Sequence, residues 1–379
     1  MTKGPRHILV ISDPPAAPGF LPRLRFLCDY LVRQGHEVTL LTEEYQPLTF
    51  EHSYPVHTIR MYSGGKVDWF IKTVWTLISD WHNRAFARKA LSNHQSPITN
   101  HPYDLVLCTA FSDFPLGAAQ RIAQALHVPL LCDIRDLDEQ VDDSRYQYRH
   151  QSPWLMPFRR LYRAVHIRRR NKVLRVANAI TTVSPWHADF IKTITSNHSP
   201  ITVVYNGFDD RQFYPEDIRT DEFKITYIGS LFEWQKPALE KVKQVIGQMN
   251  GILDIHTPRH NPIPHDALGD TIRRSSIMLV FTNEHTHGML TTKFYEALGC
   301  EKPVLCVPSD KGSLAELIAY TNAGIATDDI GQIKQFITAQ YNIWQQNGFT
   351  RQQTQHREQF TRAHQCEQIE ALIQKLLMP

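Results

Sequence analysis

The chain alternates between two patterns of apolar residues. Short runs rich in β-branched residues give way to stretches whose apolar positions recur every three or four residues. His7–Ser12 is the first short run. A loop with Pro14, Pro15, Pro18 and Gly19 follows, then Leu21–Gln34 with helical periodicity, which Gly35 stops just before the strand-like Glu37–Leu41. Further strands are expected at Leu105–Cys108, Pro129–Asp133 and Ala179–Val183. Around Ile201–Gln212 a strand runs into an Asn-Gly turn. A second series then begins with Lys224–Ile228, continues through Ile252–Ile255, Ile277–Phe281 and Pro303–Val307, and closes with a helical tail ending near Leu377. Strands alternating with helices at this spacing predict two α/β, doubly wound parallel-sheet domains of Rossmann-like type. The expected division is 1–200, 201–355 and a C-terminal helix, 356–379. Ligands in such sheets bind beyond the carboxyl ends of the strands, so two domains facing each other would enclose a cleft.

Composition narrows the classes. A chain of 379 residues that is 42% apolar can build two cores. Its 41 basic and 38 acidic residues leave a net charge of +3, which gives no reason to expect a nucleic-acid partner. The 19 histidines are scattered without cysteines at metal-site spacing, and the six cysteines lack CxxC spacing. No metal and no cofactor are expected, and the cysteines read as small core residues in a reducing compartment. No stretch approaches the ~20 apolar residues of a spanning helix, and no signal peptide is read before the first strand. The expectation is a cytoplasmic protein, at most peripheral on the inner face of the cell membrane.

Gly288–Pro303, G-M-L-T-T-K-F-Y-E-A-L-G-C-E-K-P, carries the most specific chemistry. Thr291 and Thr292 open a short helix whose first N–H groups and dipole suit a phosphate. Lys293 adds a positive charge, and Glu296, one turn on, can accept hydrogen bonds from sugar hydroxyls. After the strand Lys224–Ile228, Gly229 and Ser230 begin a loop that leads to Lys236. Two lysines on one diphosphate would neutralise a leaving group, although Lys236 alone reads as an ordinary surface lysine. Gly19 either admits a donor close to the backbone or is a tight connection; the absence of GxGxxG argues against a dinucleotide.

Two further segments stand out. Asp133–Glu139, D-I-R-D-L-D-E, follows a predicted strand, and Arg135 and Asp136 there either position hydroxyls or pair to fix the loop. From Arg145 to Arg175 there are ten Lys or Arg and no Asp or Glu, with Phe158, Leu161, Tyr162 and Val165 forming an apolar stripe. This helix either meets an anionic membrane or a lipid-pyrophosphate acceptor, through Arg159, Arg160 and Arg163, or docks its stripe on the domain. An aromatic helix over Val67–Ala85, with Trp69, Phe70, Trp75 and Trp81, could join that face or pack inside.

These pieces together resemble the GT-B glycosyltransferases of glycosyltransferase family 4, over nearly the whole chain. The resemblance is carried by Gly35–Thr42 (G-H-E-V-T-L-L-T), Ala179–Ser184 (A-I-T-T-V-S), Val203–Asp209 (V-V-Y-N-G-F-D), Tyr227–Leu231 (Y-I-G-S-L) and above all Lys293–Leu305. It implies a retaining transferase that moves a sugar from a nucleotide-diphosphate sugar to a hydroxyl acceptor, a polysaccharide or lipid-linked precursor, without a metal. It also implies a C-terminal helix returning to the N-terminal domain. Glu296 matches the second carboxylate of the Glu-x7-Glu motif, which binds the nucleotide ribose. Thr291 and Thr292 match the diphosphate contact, and Lys236 the basic residue of the loop after the first C-domain strand. Gly288 stands where the first Glu belongs, Glu284 lies four residues earlier, Ser230 replaces a frequent Arg, and Arg135 replaces a frequent His. The alternatives are a nucleotide-sugar epimerase and a degenerate, non-catalytic nucleotide-binding protein of the same fold.

Overall fold

A computed structural model describes residues 4–13, 22–44, 51–62, 65–92, 98, 102–141, 156–196, 199–283 and 285–378. Gly19 and Glu284 lie outside these residues, and the side chains of Lys66 and Trp69 are not described. The chain divides into two compact units. The first comprises Met1–Gln140, Ser144–Val204 and Cys366–Pro379; the second comprises Tyr205–Gln365 with Val141–Asp143.

In the first unit the strands are β1 (His7–Ser12), β2 (Glu37–Glu43), β3 (Val56–Ile59), β4 (Leu105–Ala110), β5 (Leu130–Ile134), β6 (Ala179–Thr182) and β7 (Ile201–Val203). They form a parallel sheet in the order β3-β2-β1-β4-β5-β6-β7. The strand order reverses between β1 and β4. The helices are α1 (Pro22–Arg33), α2 (Lys66–Ser79), α3 (Trp81–Leu91), α4 (Leu116–Leu126), α5 (Met156–Leu174) and α6 (Pro185–Thr195). All residues of β4 and β5 are buried, as expected of central strands covered by helices on both faces, and this is why they read as continuous apolar runs. Each large aliphatic side chain fully buried there contributes roughly 1.5–3 kcal/mol.

The single helix expected over Val67–Ala85 is two helices. Asp80 breaks it, with φ 58° and ψ 38° in the left-handed region. The Asp80 carboxylate accepts from Asn83 Nδ2 and Arg121 Nη2, both at 2.8 Å, which offsets the cost of that backbone conformation.

The second unit contains β8 (Phe223–Ile228), α7 (Lys236–Ile246), β9 (Gly251–His256), α8 (Leu268–Arg273), β10 (Ile277–Val280), α9 (Thr292–Gly299), β11 (Val304–Cys306), α10 (Ser313–Tyr320), β12 (Gly324–Ala326) and α11 (Ile330–Asn347). Its parallel sheet has the order β12-β11-β10-β8-β9, reversing between β8 and β10. The last helix, α12 (Arg362–Leu376), starts in the second unit and from Cys366 belongs to the first. There Tyr30 donates to Glu370 at 3.0 Å, and His36 Nε2 lies 3.6 Å from the other Glu370 oxygen. All six cysteines are free and buried.

Candidate functional site

In an open parallel sheet the crevice for a ligand opens where the strand order reverses, at the carboxyl ends of the two strands involved. In the second unit those strands are β8 and β10. Gly229 follows β8 directly, and the chain leaving β10 leads to α9. Thr291 caps α9 with an extended backbone (φ −68°, ψ 142°), and its side chain makes no capping bond, so the first-turn N–H groups are not satisfied by it. Thr292 is exposed, whereas Lys293 beside it and Glu296, one turn on, are half-buried.

Two loops meet at Lys293. A Cβ on Gly229 would lie 2.4 Å from Lys293 Cε and 2.8 Å from Nζ, so the lysine fills the space that only a glycine leaves open. Gly229 also has φ +142°, which side-chain-bearing residues rarely adopt. Burial lowers the Lys293 pKa, with Glu296 opposing. Burial likewise raises that of Glu296, with Lys293 and Arg362 opposing. Both groups are thus pushed toward their neutral forms, and an anion or a set of hydroxyls would reverse that cost.

The loop after Gly229 is pinned from below. Buried Tyr227 donates to the Ser230 carbonyl at 2.6 Å, buried Gln235 donates to Tyr227 Oη at 3.4 Å, and the Phe232 N–H donates to Gln235 Oε1 at 2.7 Å. Ser230 itself is exposed. Lys236 is at the start of α7 in an exposed ion pair with Glu233, at 2.7 Å. Gly288 is buried with φ 65°, a conformation that costs a residue with a side chain about 1–2 kcal/mol. The local backbone therefore favours glycine over the expected carboxylate.

The first unit carries its charges at the equivalent edge. Asp13 follows β1, Phe111 follows β4 and Arg135 follows β5. Arg135 stacks on the Phe111 ring at 3.9 Å and lies 3.6 Å from Asp13. Burial pushes the Asp13 carboxyl up to about 7 against the pull of Arg135. Asp133, inside β5, accepts from Arg23 Nη2 at 2.9 Å, Thr109 Oγ1 at 3.2 Å and Thr181 Oγ1 at 2.7 Å. Burial also raises the Asp136 pKa, and Asp136 accepts from Gln140 at 3.3 Å. Gln140 Oε1 in turn meets His187 Nε2 at 2.9 Å, and His187 Nδ1 meets Ser184 Oγ at 2.6 Å. An amide oxygen only accepts, so Nε2 carries the hydrogen and Nδ1 accepts from the serine. Burial and nearby Arg170 hold this ring neutral by pulling its pKa down to about 4.

Comparison with known families decides the class. The family described as Glycosyltransferase Family 4 matches residues 23–212, half of the chain. The chain belongs to glycosyltransferase family 4. Among curated proteins none matches. Sucrose-phosphate synthase from Thermosynechococcus elongatus superposes with a TM-score of 0.64 at 17% identity, covering 98% of this chain and 99% of that one. A glycosyltransferase from Rickettsia africae gives 0.61 at 10% identity, covering 99% of each chain. Anabaena HepE, solved in complex with UDP and glucose, gives 0.58 at 13% identity, covering 98% of this chain and 97% of its own. The glycosyltransferase has the GT-B fold, with two Rossmann-like domains.

In this glycosyltransferase the arginines of α5 divide by task. Arg163 donates to the Asp138 carbonyl, Arg169 to the Thr76 and Leu77 carbonyls at 2.6 and 2.8 Å, and buried Arg170 holds Glu139 through two bonds of 2.9 and 2.6 Å. Arg160 is exposed and Arg159 half-exposed. Sequence reasoning missed Tyr227, Gln235, Arg23 and His187. Thr109 and Thr181 were indistinguishable from ordinary strand formers. For His187 the available signal was Ser184 before Pro185, a helix-start pattern that places position 187 against the cap. Among the described residues no group of three or more His, Cys, Asp or Glu is arranged to hold a metal ion.

Proposed function

We propose that this glycosyltransferase moves a sugar from a nucleoside-diphosphate sugar to a hydroxyl acceptor with retention at the anomeric carbon. The observation that carries the reading is Lys293, packed against Gly229 at the strand-order reversal beside the uncapped start of α9. Lys293 and the Thr291 and Thr292 amides take the diphosphate and stabilise it as a leaving group. Glu296 takes hydroxyls of the donor. The acceptor hydroxyl attacks from the face that the leaving group vacates, and the leaving phosphate oxygen receives its proton. Arg135 stays protonated and acts as a positioning cation rather than a base, with Asp136 held beside it. Lys236 joins the diphosphate only by leaving Glu233. Transfer needs no metal or other cofactor. Family membership favours this reading over an epimerase, and the HepE complex with UDP and glucose supports the donor class by analogy.

The acceptor is a polysaccharide or lipid-linked precursor, met in the cytoplasm at the inner face of the cell membrane, where Arg159 and Arg160 would face anionic groups. The test is a thermal-shift series with UDP, GDP, ADP and TDP. A ligand bound only by the folded protein at a hundred times its Kd adds about 2.7 kcal/mol. One of these nucleotides should raise Tm, and Lys293→Ala should remove the rise; indifference to all four would sink the donor assignment. Product anomers read by NMR decide retention. The glycine at position 288 favours a second reading, a nucleotide binder without turnover. Calorimetric heat with no sugar release or transfer would establish it.

A further inference from the structure

The outer face of α2 is inverted relative to an ordinary surface helix. Val67, Phe70, Ile71, Trp75 and Ile78 are between 48% and 72% exposed, and every other described side chain of this helix is at least partly buried. Their spacing places them on one side of the helix. The polar residues are turned the other way and satisfied. Lys72 bonds Asp68 at 2.7 Å and the Met61 carbonyl at 3.0 Å, and buried Thr76 donates to the Lys72 carbonyl at 2.8 Å. A continuous apolar face of this kind on a folded surface marks a contact.

The neighbouring helix indicates what makes the contact. Arg169 of α5 binds the carbonyls of Thr76 and Leu77, fixing α5 beside the end of α2. On α5, Phe158 and Leu161 are 49% and 55% exposed, Arg160 and Arg168 are exposed, and no residue from Met156 to Leu174 is acidic. Protein interfaces surround an apolar centre with a polar, solvent-accessible rim. Here the exposed apolar side chains stand beside a helix whose charged residues are all basic, the pairing that acyl chains and anionic headgroups offer together. At 14 residues α2 is about 21 Å long, short of the ~30 Å hydrocarbon core, and no described helix is long and apolar enough to cross a membrane.

We propose that α2 lies flat in the interface of an anionic lipid membrane, with Val67, Phe70, Ile71, Trp75 and Ile78 among the acyl chains and the exposed arginines of α5 on the headgroups. This deepens the membrane-side reading above by naming the inserting element. It does not depend on the donor assignment. Binding therefore has an apolar component that salt does not screen, unlike a purely basic patch.

The test is co-sedimentation of the full chain with phosphatidylcholine vesicles, with and without phosphatidylglycerol, at low and high salt. The wild type should bind the anionic vesicles and keep a measurable fraction bound in high salt. Ile71→Lys with Trp75→Lys should lower the partition coefficient by about tenfold or more, as should the milder Val67→Ser with Ile78→Ser. These exposed positions should leave Tm unchanged, and the nucleotide-induced shift in Tm, read on the same variants, reports the donor site separately. Complete release by salt, or variants that bind as the wild type does, would overturn insertion. So would a wild-type dimer that the substitutions split while vesicle binding is unaffected, because a second copy would then cover the face.

Discussion

Asp133 at the edge of the first sheet and Lys293 at the edge of the second are both charges near the carboxyl ends of parallel strands, but they are handled in opposite ways. Asp133 is enclosed by an arginine and two threonine hydroxyls from three different elements, α1, β4 and β6. Lys293 is packed against a glycine and shares its helix face with Glu296, and burial pushes both toward neutrality. A buried charge with a full set of partners holds structure together, and removing it strands the partners. A half-buried charge short of partners costs stability while empty and returns it when a complementary ligand arrives. The first arrangement suits a scaffold, the second suits a binding site.

That contrast breaks most visibly at Asp133. Asp133→Ala leaves Arg23, Thr109 and Thr181 without their acceptor and should cost about 3–5 kcal/mol. Urea unfolding should show it as a lower midpoint at constant slope, with the nucleotide-induced gain in stability unchanged in whatever folded protein remains. Lys293→Ala should do the reverse. It removes a desolvated cation, so stability should hold or rise slightly, while donor affinity falls by about 2–4 kcal/mol. If Lys293→Ala unfolds the protein and Asp133→Ala spares it, the roles assigned to the two edges are exchanged.

Asp13 belongs to the first unit yet behaves like a group of the second kind. Its Oδ1 is buried without a hydrogen-bond partner, as are Arg135 Nε and Nη2. Its carboxyl is raised from 3.8 to about 7. Between roughly pH 4 and pH 7 the folded chain keeps a proton that the unfolded chain has released. Stability from this group therefore falls as pH rises through that window, by about 2–4 kcal/mol once it is complete. Asp13→Asn, which mimics the protonated form, should match the wild type near pH 4 and be more stable by about that amount at pH 8. Urea midpoints at the two pH values measure the difference. An offset that is equal at both would show that Asp13 does not titrate in this window.

Much of this organisation was legible in the sequence. The strand read at His7–Ser12 is β1, and the central strands of both sheets were read to within a residue or two, because burial on both faces makes them continuous apolar runs. The edge strands β3 and β12 were not read: they are three or four residues long and partly exposed, so they carry almost no pattern. Thr, Lys and Glu in α9 stood out in the sequence because that spacing has few structural reasons to occur, but the packing of Lys293 against Gly229 did not. The partners of Asp133 did not stand out either, since a threonine in a strand and an arginine in a helix are unremarkable until the fold brings them within 3.2 Å. The break at Asp80 was hidden by apolar periodicity that runs on through it, because a left-handed aspartate leaves no mark on the hydrophobic pattern.

Lys236 is the smallest expected effect and the one that most sharpens the comparison. Its side chain is 57% exposed and pairs with Glu233, which is 64% exposed. Exposed pairs contribute about 0–1 kcal/mol, and a cation in the first turn of a helix opposes the helix dipole by a few tenths more. Lys236→Ala should therefore change the urea midpoint by less than about 1 kcal/mol in either direction. Its effect on nucleotide affinity should stay about tenfold below that of Lys293→Ala, because water already solvates the charge that the donor would have to desolvate. Equal losses in the two variants would mean that the donor draws Lys236 out of its pair with Glu233. The segment from Gly229 to Gln235 would then have to give up the bonds that Tyr227 and Gln235 make to it, and the second edge would gain a cation only in the bound state. Nucleotide titrations of Lys236→Ala and Glu233→Gln separate the two cases, since freeing the lysine by removing Glu233 should tighten binding only if the lysine moves.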